Sequence, residues 1–194
     1  MKLWSKENTD TSKQVEKFTV GKDREFDLLL APFDVLGSMA HAKMLATVGL
    51  LTVDEAGQII AELKKIYQLS HDSRLTIDEN IEDIHSQVEL LLTKKLGDTG
   101  KKIHSARSRN DQVLVDVKLF LRNEIEELVQ AVQPFFQLLQ QQSEKYKQHL
   151  FPGYTHLQLA MPSSFGLWFG AYAESLVDDL ITLQAAYEVV NKNP

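Results

Sequence analysis

The chain has 194 residues, with 21 Lys and Arg against 27 Asp and Glu, a formal net charge of −6. An acidic balance lacks the basic field of a general nucleic-acid binder, and zero cysteine excludes disulfide scaffolds, cysteine-ligated zinc and thiol catalysis. The 43% apolar and 25% charged fractions match ordinary globular domains. No apolar stretch approaches the roughly 20 residues that span a bilayer. Met1 to Lys6 turns polar at once, so no signal peptide is expected, and the expected compartment is the cytoplasm.

Residues 22–31 and 33–48 read as two helices on either side of Pro32. Thr52-Val53-Asp54-Glu55 is a capping-box pattern that opens a helix to about Leu69. Asp83 to Leu96 reads as a further helix closed by Gly97, and residues 98–107 as a loop. Between Gly100 and Pro152 the only Gly or Pro is Pro134. Leu114, Val117, Leu121, Ile125, Leu128, Val132, Phe135 and Leu139 step by threes and fours, the pattern of one long amphipathic helix. Pro134 is expected to kink or divide it. Residues 151–162, bracketed by Pro152 and Pro162, read as a connection. Ser163 or Ser164 then caps a last helix carrying Phe165, Phe169, Tyr172, Leu176, Leu180, Leu183, Tyr187 and Val190. No alternating strand pattern of useful length is present. The expected fold is all-α: a small helical domain over 1–106, then the start of a long-helix bundle over 107–194.

Four short runs could carry chemistry. Arg107-Ser108-Arg109-Asn110-Asp111-Gln112 places six polar or charged residues at the entrance of the longest helix. One or two would suffice as a cap, whereas two arginines beside free amides suit a carboxylate or phosphate. Gly153-Tyr154-Thr155-His156 sets a hydroxyl beside an imidazole, either as an acid–base pair or as an ordinary turn. Glu82-Asp83-Ile84-His85 offers a helix cap and a histidine, with no metal-ligand spacing. Gly37-Ser38-Met39-Ala40-His41 fits close helix packing as readily as a site. If residues 111–149 formed one straight helix, its 39 residues at ~1.5 Å would separate its ends by ~58 Å. The loops at its two ends could then serve one site only if different subunits supplied them, which hints at a homo-oligomer.

Taken together and in order, Gly37 to Leu45, Glu82-Asp83-Ile84-His85, Arg107 to Gln112 and Pro152 to Gln158 resemble the argininosuccinate lyases of the fumarase/aspartase superfamily, which includes the delta crystallins. Lys2-Leu3-Trp4 is similar to that family's start. The resemblance implies a cofactor-free, metal-free β-elimination of argininosuccinate to arginine and fumarate, within arginine biosynthesis. It also implies a homotetramer built on a bundle of twenty helices, with each site shared by three subunits. By resemblance, Ser38, Arg109 and Asn110 hold the substrate, the last two through its carboxylates. Asp83 and His85 line the pocket, Thr155 binds the succinyl part, and His156 is the acid–base residue on the proton-donating side.

The sequence departs from the family pattern at Ser5-Lys6-Glu7, at Ser105 and Ala106 (usually Thr-Gly), and at Leu159 and Met161, where the pattern is polar. The family's Gly-Ser-Ser loop with the serine base has no match here, so the chain reads as the N-terminal portion of such an enzyme and is expected to be inactive alone. Competing readings are another fumarate-releasing lyase such as adenylosuccinate lyase, a non-catalytic relative of the delta-crystallin kind, and a stand-alone helical interaction module.

Overall fold

The computed structural model describes residue 18, residues 20–78 and residues 80–192. The Lys2-Leu3-Trp4 start, the departure at Ser5-Lys6-Glu7 and the Asn193-Pro194 end lie outside the described residues. In chain order the elements are α1 (Asp23–Thr47), α2 (Val53–His71), α3 (Ile84–Leu96), α4 (Asp98–Lys101), a 3-10 turn (Lys102–His104), α5 (Arg109–Tyr146), β1 (Leu150–Thr155), β2 (Gln158–Ser164) and α6 (Phe165–Val190). The mostly helical class agrees with the sequence, with one added hairpin. The chain divides into two compact units between Phe120 and Leu121, inside α5.

In the first unit, α1, α2 and α3 pack around one apolar core. It contains Val35 and Leu45 from α1, Ile59 and Leu63 from α2, and Ile84, Val88 and Leu92 from α3. Leu51, Leu75 and Ile103 close it from the connections. Residues 22–48 were expected as two helices but form one, with Pro32 inside it. The buried positions Ala31, Asp34, Val35, Ser38, Ala42 and Leu45 continue at helical spacing across the proline. Burying that stripe outweighs the roughly 3 kcal/mol cost of an interior proline. By length and composition alone α1 could cross a membrane, but this stripe is a core face with an aspartate in it.

Local chemistry sets the neighbouring boundaries. The capping box of α2 is complete: Thr52 Oγ1 accepts the Glu55 N–H at 3.2 Å, and Glu55 Oε2 accepts the Thr52 N–H at 2.9 Å. Helix α3 stops at Gly97, whose φ of 60° suits glycine. The segment expected as a loop over 98–107 instead contains α4 and the 3-10 turn, anchored by Ile103 in the core.

The second unit holds the rest of α5, the hairpin and α6. Pro134 does not divide α5. The carbonyl it deprives of a partner belongs to exposed Gln130, where solvent can satisfy it. The connection expected at 151–162 is an antiparallel hairpin that pairs Leu150 with Ser164, Pro152 with Pro162 and Thr155 with Gln158, with a bulge between Pro152 and Tyr154. Two facing prolines and an irregular register hide the period-two signal. Helix α6 starts at its cap Ser164, whose Oγ accepts the Leu167 N–H at 3.2 Å. It lies close to α5 at Gly166: a Cβ there would sit 2.8 Å from the Ser143 carbonyl oxygen. Phe151 stacks on Phe165 at 4.8 Å between ring centroids.

Candidate functional site

Two helix N-termini meet in the first unit. Asp83 caps α3, accepting the Ser86 N–H at 2.7 Å, and Asp27 of α1 accepts the Ile84 N–H at 3.0 Å. At the start of α5, Ser108 Oγ accepts the Asn110 N–H at 3.2 Å and Asp111 Oδ2 accepts the Ser108 N–H at 3.2 Å, so Ser108 is the cap. Arg109 ties the two ends together. Its Nη1 donates to Asp83 Oδ1 at 3.1 Å and its Nη2 to Ser86 Oγ at 3.2 Å. Two of its five N–H donors are engaged in these bonds.

A cavity of about 380 Å³ opens here, lined by Asp23, Asp27, Glu82, Asp83, His85 and Arg109 with Val20 and Val113. Three residues singled out from the sequence, Asp83, His85 and Arg109, therefore share one wall. Four carboxyl groups surround one guanidinium, and burial pushes the Asp27 carboxyl above its ordinary range.

Behind that wall lies a buried polar cluster. His85 Nδ1 is hydrogen-bonded to Asp34 Oδ1 at 2.9 Å and lies 3.5 Å from Asp116 Oδ2. Gln112 Nε2 donates to the same Asp34 oxygen. Arg107 Nη1 donates to Ser38 Oγ at 3.1 Å. Asp34 and Asp116 are both fully buried. Burial first, then the charge of the neighbouring Asp34, push the Asp116 carboxyl up to about 8; Arg107 opposes this. The ligating atoms of Asp34, His85 and Asp116 all lie within 4.8 Å of one another. However, Asp34 Oδ1 already has two hydrogen-bond partners, and the positive Arg107 acts on both carboxyls. That donor arrangement suits a proton and a guanidinium better than a metal ion.

Ser38 is buried under Arg107, whereas Asn110 is exposed on the first turn of α5. Ser105 acts through its backbone, its carbonyl lying 2.9 Å from His41 Nε2. Burial lowers the His41 pKa below the ordinary histidine value. Ala106, at the usual glycine position, has a φ of 55°, the left-handed region that a Cβ disfavours. Asp34, Gln112 and Asp116 carry no assignment in the sequence reading. Their signal is an aspartate inside an apolar helix stripe, and a Gln-Asp pair four residues apart on one face of α5.

Thr155 and His156 lie in the second unit, at the hairpin tip. Thr155 ends β1 opposite Gln158, and His156 and Leu157 form the two-residue turn with φ of 50° and 63°. Positive φ at both positions is what a type I′ turn requires, and neither residue is glycine or asparagine. Both Thr155 and His156 are exposed.

The fold is that of the fumarate lyases. A fumarate lyase of the delta-crystallin type from Brucella melitensis, in native form, superposes with a TM-score of 0.77 at 17% identity, covering 92% of this chain and 44% of that one. EDDS lyase in complex with formate superposes at 0.74 with 23% identity, covering 96% and 37%.

The chain belongs to the lyase family: the family model described as Lyase matches residues 4–194. It is 62% identical over 193 residues to an argininosuccinate lyase of Bacteroides fragilis, covering all of this chain and 43% of the relative. Against the argininosuccinate lyase of Thermotoga neapolitana identity is 40%, covering all of this chain and 48% of the relative. The chain is thus similar to the N-terminal portion of these enzymes and spans less than half their length.

Proposed function

We propose that this chain forms the substrate-binding part of an argininosuccinate lyase, which eliminates fumarate from argininosuccinate and leaves arginine. The observation that carries the reading is 62% identity over the whole chain to such an enzyme, with the Arg107–Gln112 and Pro152–Gln158 runs both present. The chemistry requires removal of a weakly acidic proton beside a carboxylate. Negative charge then builds on that carboxylate and needs fixed donors. The departing guanidine nitrogen needs a proton.

Arg109 and Asn110 are assigned to the substrate carboxylates. The N-terminus of α5 favours anions, and Arg109 is held by Asp83 with donors to spare. Asp83 and His85 line the pocket, and Ser38, which accepts a hydrogen bond from Arg107, is assigned to holding the substrate. Thr155 binds the succinyl part and His156 delivers the proton to the leaving nitrogen. The exposed turn that carries them keeps both within reach of a substrate. This elimination uses no cofactor.

A homotetramer in the cytoplasm completes the reading. Exposed apolar side chains such as Leu128, Phe135, Trp168 and Ile181 on α5 and α6 support association between copies. The test uses the protein encoded by the complete reading frame. With argininosuccinate it should release fumarate, and with adenylosuccinate it should not. His156→Asn should lower kcat by about 10²–10⁴-fold. Fumarate from adenylosuccinate alone, or undiminished turnover in His156→Asn, would overturn the reading.

A further inference from the structure

We propose that the buried Asp34–Asp116 pair carries a proton on Asp116 at neutral pH, and that the pair positions the His85 ring with Nδ1–H on Asp34 and Nε2 left for the cavity. The use made of that ring rests on the lyase reading above; the proton and the ring orientation do not.

Donor accounting carries the inference. Asp34 Oδ1 receives the Gln112 N–H and is hydrogen-bonded to His85 Nδ1. Asp34 Oδ2, both oxygens of Asp116 and Gln112 Oε1 are buried with no donor, and among the described residues the one unpartnered buried donor beside them is Arg107 Nε, which cannot serve all four. Two ionised carboxylates would leave these oxygens short of donors in a low-dielectric interior. A single proton on Asp116 turns one acceptor into a donor.

Charge balance agrees. From α1 the pair is faced by Asp27, from α3 by His85, and from the segment before α5 by Arg107; Glu89 of α3 acts on Arg107 in turn. Three carboxyl groups, Asp27, Asp34 and Asp116, thus stand against the Arg107 guanidinium, and a proton on Asp116 reduces that excess. The direction of the Asp116 shift is the same.

Positioning follows from the ring. A neutral imidazole with Nδ1–H fixed on a carboxylate has its other nitrogen, Nε2, as an acceptor. His85 belongs both to this buried cluster and to the cavity wall, so the pair sets which ring nitrogen is available there.

The experiment is nuclear magnetic resonance of the chain labelled at aspartate carboxyl carbons and histidine nitrogens, titrated over about pH 5–9. We expect one aspartate signal to keep its protonated position at neutral pH, move near pH 8, and be missing in Asp116→Asn. His85 should carry its proton on Nδ1 alone, and Asp34→Asn should return it to a mixture of tautomers. The sign for stability is fixed: a carboxyl raised from 3.8 to about 8 binds more protons folded than unfolded in that window. Wild-type stability therefore falls as pH rises through it, and Asp116→Asn loses that slope.

Should Asp116→Asn not fold, the wild-type signal and its loss or shift in Asp34→Asn decide the matter alone. Two ionised aspartates at neutral pH with protons on both nitrogens of His85 would overturn the proposal. So would a divalent cation, added as zinc or manganese chloride, that displaces these signals at micromolar concentration. No lyase activity is read, so failure here is distinct from failure of the functional reading.

Discussion

The two units bury their apolar residues very differently. The first closes a core of Val35, Leu45, Ile59, Leu63, Ile84 and Leu92 and still encloses the polar cluster around Asp34 and Asp116. In the second, among the described residues, only Leu139 and Ala173 are buried apolar positions. Leu128, Val129, Phe135, Leu138, Trp168, Tyr172 and Ile181 remain exposed there. Helix propensity and periodicity are similar in both, so forming a helix and burying its face are separate steps. The first unit completes both steps within the chain. In the second, those apolar faces stay exposed, and the proposed association between copies would cover them.

The largest expected break of this contrast comes from core truncation. Leu63→Ala, at a fully buried position, should destabilise the first unit by about 2–5 kcal/mol in a denaturant titration. Ile181→Ala, at an exposed position, should change the stability of the dispersed chain by less than about 0.5 kcal/mol. Equal losses would mean that the second unit is as self-contained as the first.

A smaller effect of the opposite sign is expected where each unit holds a side chain at positive φ. Ala106→Gly in the first unit and Leu157→Gly in the second should each raise the thermal midpoint, by about 1 kcal/mol in free energy. Leu157 is almost fully exposed, so its removal costs little burial. A drop in midpoint for Leu157→Gly would assign that side chain a contact with a partner.

Features written in local chemistry were legible in the sequence. The Thr52–Glu55 box, the Asp83 cap with its Gly97 stop, and the Ser164 cap needed no tertiary knowledge. The prolines misled because their local cost is offset elsewhere, by the buried stripe across Pro32 and by solvent at Gln130 beside Pro134. The hairpin stayed hidden because His156-Leu157 lacks the glycine or asparagine that marks its turn. The sequence singled out Asp83, His85 and Arg109 through their motifs, and the cavity brings them together. It did not single out the buried pair: Asp34 and Asp116 belong to no motif, and only the packing of α1, α3 and α5 brings them together.

The contrast between the units is tested most directly by backbone hydrogen exchange measured as a function of protein concentration. The account predicts that protection of residues 23–104 is independent of concentration, while protection of 121–146 and 165–190 rises as copies cover the exposed apolar faces. Concentration-independent protection of equal strength in both units would contradict it.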